Sequence, residues 1–151
     1  MEDRSLQDRY LPEGRCFGCG PVNSLGLQLK SFATDERTLE ATWTPQDHHE
    51  AFPGILNGGI IGTLLDCHST WAAWWSLFQR DGNEELFPLT AEYSIKLLRP
   101  TPLDRPVKLT ACAVDLGERR AEIGGVLEVD GVEHATSTGT FIRPRKAFPL
   151  H

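Results

Sequence analysis

The stretch Asn57-Gly-Gly-Ile-Ile-Gly-Thr-Leu-Leu-Asp66-Cys-His-Ser-Thr-Trp-Ala-Ala-Trp-Trp-Ser-Leu-Phe-Gln-Arg80-Asp-Gly82 decides the fold. Asn57 is a strong helix N-cap, and bare glycines at 58 and 59 let other groups approach the first turn. Arg80 and Gly82 supply a basic last turn and a glycine stop. Between these signals, Ile60, Ile61, Leu64, Leu65, Trp71, Ala72, Trp74, Trp75, Leu77 and Phe78 cover most of the helical circumference. A helix apolar nearly all round is a buried one. Asp66 stands in the middle of it, although burying a carboxylate without partners is costly. Residues three and four positions away are Gly62, Thr63, Ser69 and Thr70, and the stripe extends to Gly59 and Ala73. One helix face is therefore small and weakly polar with a single charge at its centre, a surface made for close approach by another polypeptide or a ligand. Two readings stay open: Asp66 accepts hydrogen bonds from Ser69, Thr70 or a partner subunit and fixes packing, or it performs chemistry.

Outward from the helix the pattern changes to strands. Leu27, Leu29 and Ser31 alternate with Gln28, Lys30 and Phe32, and Leu39, Ala41 and Trp43 alternate with Glu40, Thr42 and Thr44. This is the period of half-buried strands, and Asp35-Glu36 fits a hairpin turn between them. Residues 45–56 lack periodicity and form a loop of the length that is often functional. Beyond the helix, residues 88–98, 106–116, 119–129 and 132–142 read as four strands, the last two joined by the hairpin dipeptide Asp130-Gly131. The order predicts an α+β fold in which a curved antiparallel sheet of about six strands wraps one long central helix. Residues 1–14 read as an N-terminal arm, 15–143 as the single domain and 144–151 as an irregular tail.

Composition narrows the function. The chain has 151 residues, 40% of them apolar and 24% charged, which fits one globular domain and argues against disorder. Its net charge of −6 disfavours nucleic acid or an anionic membrane surface as the main partner. The longest apolar run, 60–78, is broken by Asp66, His68, Ser69 and Thr70 and makes a poor membrane span; the N-terminus lacks the character of a signal peptide. A soluble, cytoplasmic protein is expected. Among the four cysteines, Cys16 and Cys19 form one Cys-x-x-Cys pair, while Cys67 and Cys112 lie far away in apolar contexts. A single pair gives two of the four ligands that a structural zinc wants, and only His48 and His49 offer to complete it. A buried structural turn is the expected role, with no metal and no cofactor.

The first amides of the helix, at Gly58 and Gly59, have no intrahelical partner and carry the positive end of the helix dipole, the makings of an oxyanion hole. Asp66 lies about two turns further on, roughly 11–12 Å by helical rise. A second subunit, laying its helix antiparallel across the small-residue face, would bring one chain's carboxylate to the other's amides. His49, in the preceding loop, is a candidate for lining a substrate pocket or assisting a leaving group, with a solvent-exposed loop histidine as the alternative. Arg143, Arg145 and Lys146, with Lys96 and Arg99 nearby, form a cluster suited to phosphates, or else a solvated chain end. Trp71, Trp74 and Trp75 read as core.

Phe52-Pro-Gly-Ile-Leu-Asn-Gly-Gly-Ile-Ile-Gly-Thr-Leu-Leu-Asp66 resembles the His-Gly-Gly-x-x-x-x-Leu-x-Asp signature of hotdog-fold acyl-CoA thioesterases of the PaaI-like type. Arg15-Cys-Phe-Gly-Cys-Gly-Pro-Val-Asn-Ser-Leu-Gly-Leu-Gln-Leu29 resembles the N-terminal signature of one branch of those proteins. The resemblance implies a hotdog fold, a homodimer often doubled to a homotetramer, and active sites at the dimer interface. It implies hydrolysis of an acyl-CoA or related acyl thioester, with Asp66 as general base or nucleophile and Gly58 polarising the carbonyl. Thr90 matches a position that holds the attacking water. Asn57 replaces the commoner histidine; it caps and donates but is no acid or base near neutral pH. Two other classes stand beside the thioesterase: a non-catalytic acyl-CoA or small-ligand binding domain, and a hotdog dehydratase. The dehydratase ranks last, because His68 points to a different helix face from Asp66.

Overall fold

The computed structural model describes residues 3–151. The order of the named elements is α1 (Leu6–Tyr10), β1 (Phe32–Ala33), β2 (Thr38–Trp43), α2 (Gly58–Asp81), β3 (Leu89–Leu97), β4 (Val107–Leu116), β5 (Arg120–Val129) and β6 (Val132–Ile142).

 The strands form one antiparallel six-stranded sheet in the order β1-β2-β4-β5-β6-β3, so β3 is an edge strand although it follows the helix directly in sequence. The helix α2 runs 24 residues, about 36 Å, and packs across the central strands β4 and β5.

Both helix ends are built from the residues that mark them in the sequence. Asn57 Oδ1 accepts from the N–H groups of Gly59 (2.8 Å) and Ile60 (3.2 Å). At the other end Gly82 adopts φ 74° and donates its N–H to the Phe78 carbonyl. The tight approach of α2 to the sheet needs glycine at 125 on β5, where a Cβ would stand 3.3 Å from Leu65 Cδ2 and 2.4 Å from Ser137 Oγ. Asp130 and Gly131 take φ 51° and 78° and join β5 to β6 with Val129 opposite Val132, as a two-residue turn of this composition does.

The stretch expected to form the first long strand does not join the sheet; only Phe32 and Ala33 do. Leu27, Leu29 and Ser31 still point inward and are buried. Their backbone instead meets the cysteine-containing loop: the Leu27 N–H donates to the Phe17 carbonyl and that of Leu29 to the Gly18 carbonyl. A positive φ of 52° at Gln28 bends the segment out of regular pairing. The residues before it are equally part of the core, with Leu6 and Gln7 buried and Tyr10 packed on Trp74. Trp71 and Trp74 are buried in an aromatic cluster with Phe87, as the helix pattern implied.

Candidate active site

Asp66 sits half-buried where α2 faces β3. Its Oδ1 accepts a 2.7 Å hydrogen bond from Thr90 Oγ1, which is thereby assigned as the donor. Neither Ser69 nor Thr70 binds the carboxylate; Thr70 Oγ1 donates to the Asp66 backbone carbonyl at 2.9 Å. Among the described residues Asp66 Oδ2 has no hydrogen-bond partner and is the oxygen left for a ligand or water. Burial pushes the Asp66 carboxyl above the usual carboxylate range; the Thr90 hydrogen bond opposes this, and Cys16 adds to it.

A β-bulge brings Thr90 to this position. The β3–β6 register shifts between Thr90 and Glu92. Past the bulge, Tyr93, Ile95 and Leu97 face α2: a Cβ on Gly62 would lie 3.3 Å from Ile95 Cδ1 and 4.0 Å from Tyr93 Oη, and one on Gly58 would lie 3.2 Å from Leu97 Cδ1. Strict alternation puts position 90 on the opposite face from 93, 95 and 97. The extra residue reverses the parity, so all four side chains reach the helix.

The helix N-terminus is more specialised than its glycines suggest. Asn57 already occupies the Gly59 and Ile60 amides, and the Ile61 N–H donates to the Asn57 carbonyl. Gly58 N–H is left without a partner among the described residues. This corrects the expectation for Gly59, whose amide is engaged by the cap. Asn57 is in turn held by its own N–H, which donates to the His49 carbonyl at 2.9 Å.

His49 is buried, not a solvent-exposed loop residue. Its Nδ1 accepts from the Gln46 N–H at 2.9 Å, and its ring packs on Trp43 and His48. Burial, then neighbouring His48, lowers its pKa. The ring borders a cleft of about 240 Å³ with Leu25, Leu27 and Trp43, which does not include Asp66. His68 is wholly buried: Nε2 faces the Leu39 carbonyl and Nδ1 faces Ser31 Oγ, so it serves the core.

Arg143 corrects the proposed phosphate cluster. It is 3% exposed, and its guanidinium donates to both Asp81 oxygens, at 2.5 and 3.2 Å, and to the Asn83 carbonyl. It fastens the end of α2 to the end of β6 and is turned away from solvent. Arg145 and Lys146 are exposed. The structure also brings Cys67 against the Cys16–Cys19 loop, which separation in sequence concealed.

No family model and no curated protein sequence matches the chain. Solved structures do. A thioesterase superfamily protein from Shewanella loihica superposes with a TM-score of 0.65 at 26% identity, covering 77% of this chain and 90% of its own. A second thioesterase superfamily protein reaches a TM-score of 0.71 at 25% identity, over 94% of this chain and 71% of its own. A Streptococcus mutans protein bound to acetyl-CoA shares the fold at 18% identity, with a TM-score of 0.65 and coverage of 80% and 91%. The long helix against an open antiparallel sheet is the hotdog fold. Within that fold, the chain is similar to proteins of the thioesterase superfamily.

Proposed function

We propose that the protein hydrolyses acyl thioesters, acyl-CoA foremost, as a PaaI-like homodimer whose active sites lie between subunits. The observation that carries this reading is the half-buried Asp66, with one carboxylate oxygen fixed by Thr90 and the other free. A raised pKa suits a general base, and the free Gly58 amide at a helix N-terminus suits a developing oxyanion. Within one chain these groups are about two helical turns apart, so a second subunit supplies the missing half. The edge strand β3 favours that assembly. Its Leu89, Tyr93 and Leu97 are 55%, 45% and 56% exposed, and an apolar edge of this kind is a template for pairing. The acetyl-CoA bound to the Streptococcus mutans neighbour supports the substrate class.

In this mechanism Asp66 Oδ2 takes one proton from a water whose other hydrogen is donated to Thr90 Oγ1. The water oxygen attacks the thioester carbon, and the carbonyl oxygen gathers charge against the partner's Gly58 N–H. Collapse breaks the C–S bond, and Asp66 returns the proton to the departing thiolate. Direct attack by Asp66 Oδ2, giving a mixed anhydride that water then cleaves, uses the same groups. Asn57 has no proton-transfer role, since its side chain caps the helix. Gly59 backs the cap, His49 fixes the Asn57 backbone, and exposed Arg145 remains available to the phosphates of coenzyme A.

The test is acyl-CoA hydrolysis by the native chain and by Asp66→Asn, with size-exclusion chromatography of both. The expected outcome is a dimer in each case and a kcat reduced by about 10²–10⁴-fold in the variant. Equal turnover by the variant refutes the mechanism. Tight acyl-CoA binding without turnover by the native chain replaces the enzyme with the ligand-binding module.

A further inference from the structure

Three sulfur atoms converge beside α2, outside the groups used for hydrolysis. The Sγ atoms of Cys16, Cys19 and Cys67 all lie within 4.8 Å of one another, with Cys16 and Cys67 3.7 Å apart. Thiolates bound to one zinc at about 2.3 Å stand about 3.8 Å apart in a tetrahedral arrangement. The separations are therefore of coordination size. They are unlike a disulfide, whose sulfurs are bonded at about 2.05 Å, and a disulfide between any two would leave the third thiol over.

The local backbone prepares the same chemistry. In Cys16-Phe-Gly-Cys-Gly20 the chain folds back so that the Gly20 N–H donates to the Cys16 carbonyl at 2.8 Å. Trp71 Nε1 donates to Cys19 Sγ at 3.4 Å. Gly18 is required because a Cβ there would stand 2.3 Å from Cys67 Sγ. Cys19 and Cys67 are buried while Cys16 is exposed, which leaves an entry path and an open side.

We propose that Cys16, Cys19 and Cys67 bind one thiophilic divalent cation, zinc in the first instance, with the fourth coordination position open to solvent. Each thiol that ligates releases its proton to solvent, and no electron is transferred. The ion would tie the loop to the helix at the residue following Asp66.

The test uses the full chain, stripped of metal and fully reduced, titrated with Co²⁺ in the absence of oxygen. The expected result is one cobalt per chain with thiolate-to-cobalt charge-transfer bands and the intense visible bands of a tetrahedral site, displaced by Zn²⁺. Cys16→Ser and Cys67→Ser each weaken binding by about a hundredfold or more, whereas Cys112→Ser leaves it unchanged. Should Cys67→Ser fail to fold by circular dichroism, Cys16→Ser, at the exposed position, decides. Absence of charge-transfer bands in the reduced native chain overturns the proposal, as does binding that survives Cys16→Ser. Neither readout involves thioester turnover, so this inference stands or falls separately from the hydrolase reading.

Discussion

Acid should weaken the fold through His68. The imidazole is wholly buried in a network that fits only its neutral form. A carbonyl only accepts, so the contact of Nε2 with the Leu39 carbonyl at 3.1 Å places the ring proton on Nε2. Nδ1 then accepts from Ser31 Oγ at 2.8 Å, while Ser31 Oγ itself accepts from Gln7 Nε2 at 3.0 Å. Protonating Nδ1 would confront the Ser31 hydroxyl with a second donor and strand its hydrogen. Burial pushes the His68 pKa down from 6.5 to about 4, partly opposed by the Leu39 carbonyl. Between those values the unfolded chain binds a proton that the folded chain refuses, so the stabilisation is complete above pH 6.5 and declines as pH falls toward 4. At about 1.4 kcal/mol per pH unit, the loss is about 2 kcal/mol by pH 5 and about 3 kcal/mol by pH 4. The assay is urea unfolding followed by tryptophan fluorescence from about pH 7.5 to 5, at fixed protein concentration, for the native chain and His68→Gln. Glutamine keeps a donor for Leu39 and an acceptor for Ser31 without titrating. The variant should be less stable at neutral pH, yet its stability should fall by about 2 kcal/mol less across the range. Parallel pH curves for the two chains would refute the reasoning.

Two further predictions concern the Thr90–Asp66 contact and the C-terminal end of the helix. Thr90→Val removes the hydrogen bond that lowers the Asp66 pKa, so the acid limb of the kcat/KM profile should move up by about one pH unit; an unshifted limb would detach Thr90 from the carboxylate in solution. Asp81→Asn removes the partner of buried Arg143, whose hydrogen bonds hold the Asp81 pKa down at about 2. That stabilisation is present above pH 3.8 and lost as pH falls toward 2; discounted for the 34% exposure of the Asp81 side chain, it should appear in chemical denaturation at neutral pH as a loss of about 1 kcal/mol.

What sequence revealed and what it hid divide along a physical line. Helix α2, its two caps and the β5–β6 turn rest on local chemistry: an asparagine that caps, a glycine that takes positive φ, a dipeptide that makes one kind of turn. The pairing of Asp66 with Thr90 came from the family resemblance, since alternation alone sends Thr90 to the wrong face. Long-range choices were hidden. Nothing local to Arg143 shows that it will meet Asp81, and nothing local to Cys67 shows that it will meet Cys16. The burial pattern of 27–31 is legible in its alternation, but its hydrogen-bond partner is not, because a loop covers inward side chains as well as a strand does. Asn57 shows a further limit: its capping was legible, whereas its effect of silencing the Gly59 amide needed geometry.

The irregularity at Ala91 makes this strand tolerant of one particular loss. Thr90 pairs with Phe141 and Glu92 with Thr140, consecutive residues of β6, so a chain lacking position 91 could keep every pair as a regular ladder. Thr90 would then stand two places from Tyr93 and still share its face. Losing one residue between Tyr93 and Leu97 would instead turn part of that row outward, so the strand can shorten at one place and not at the others.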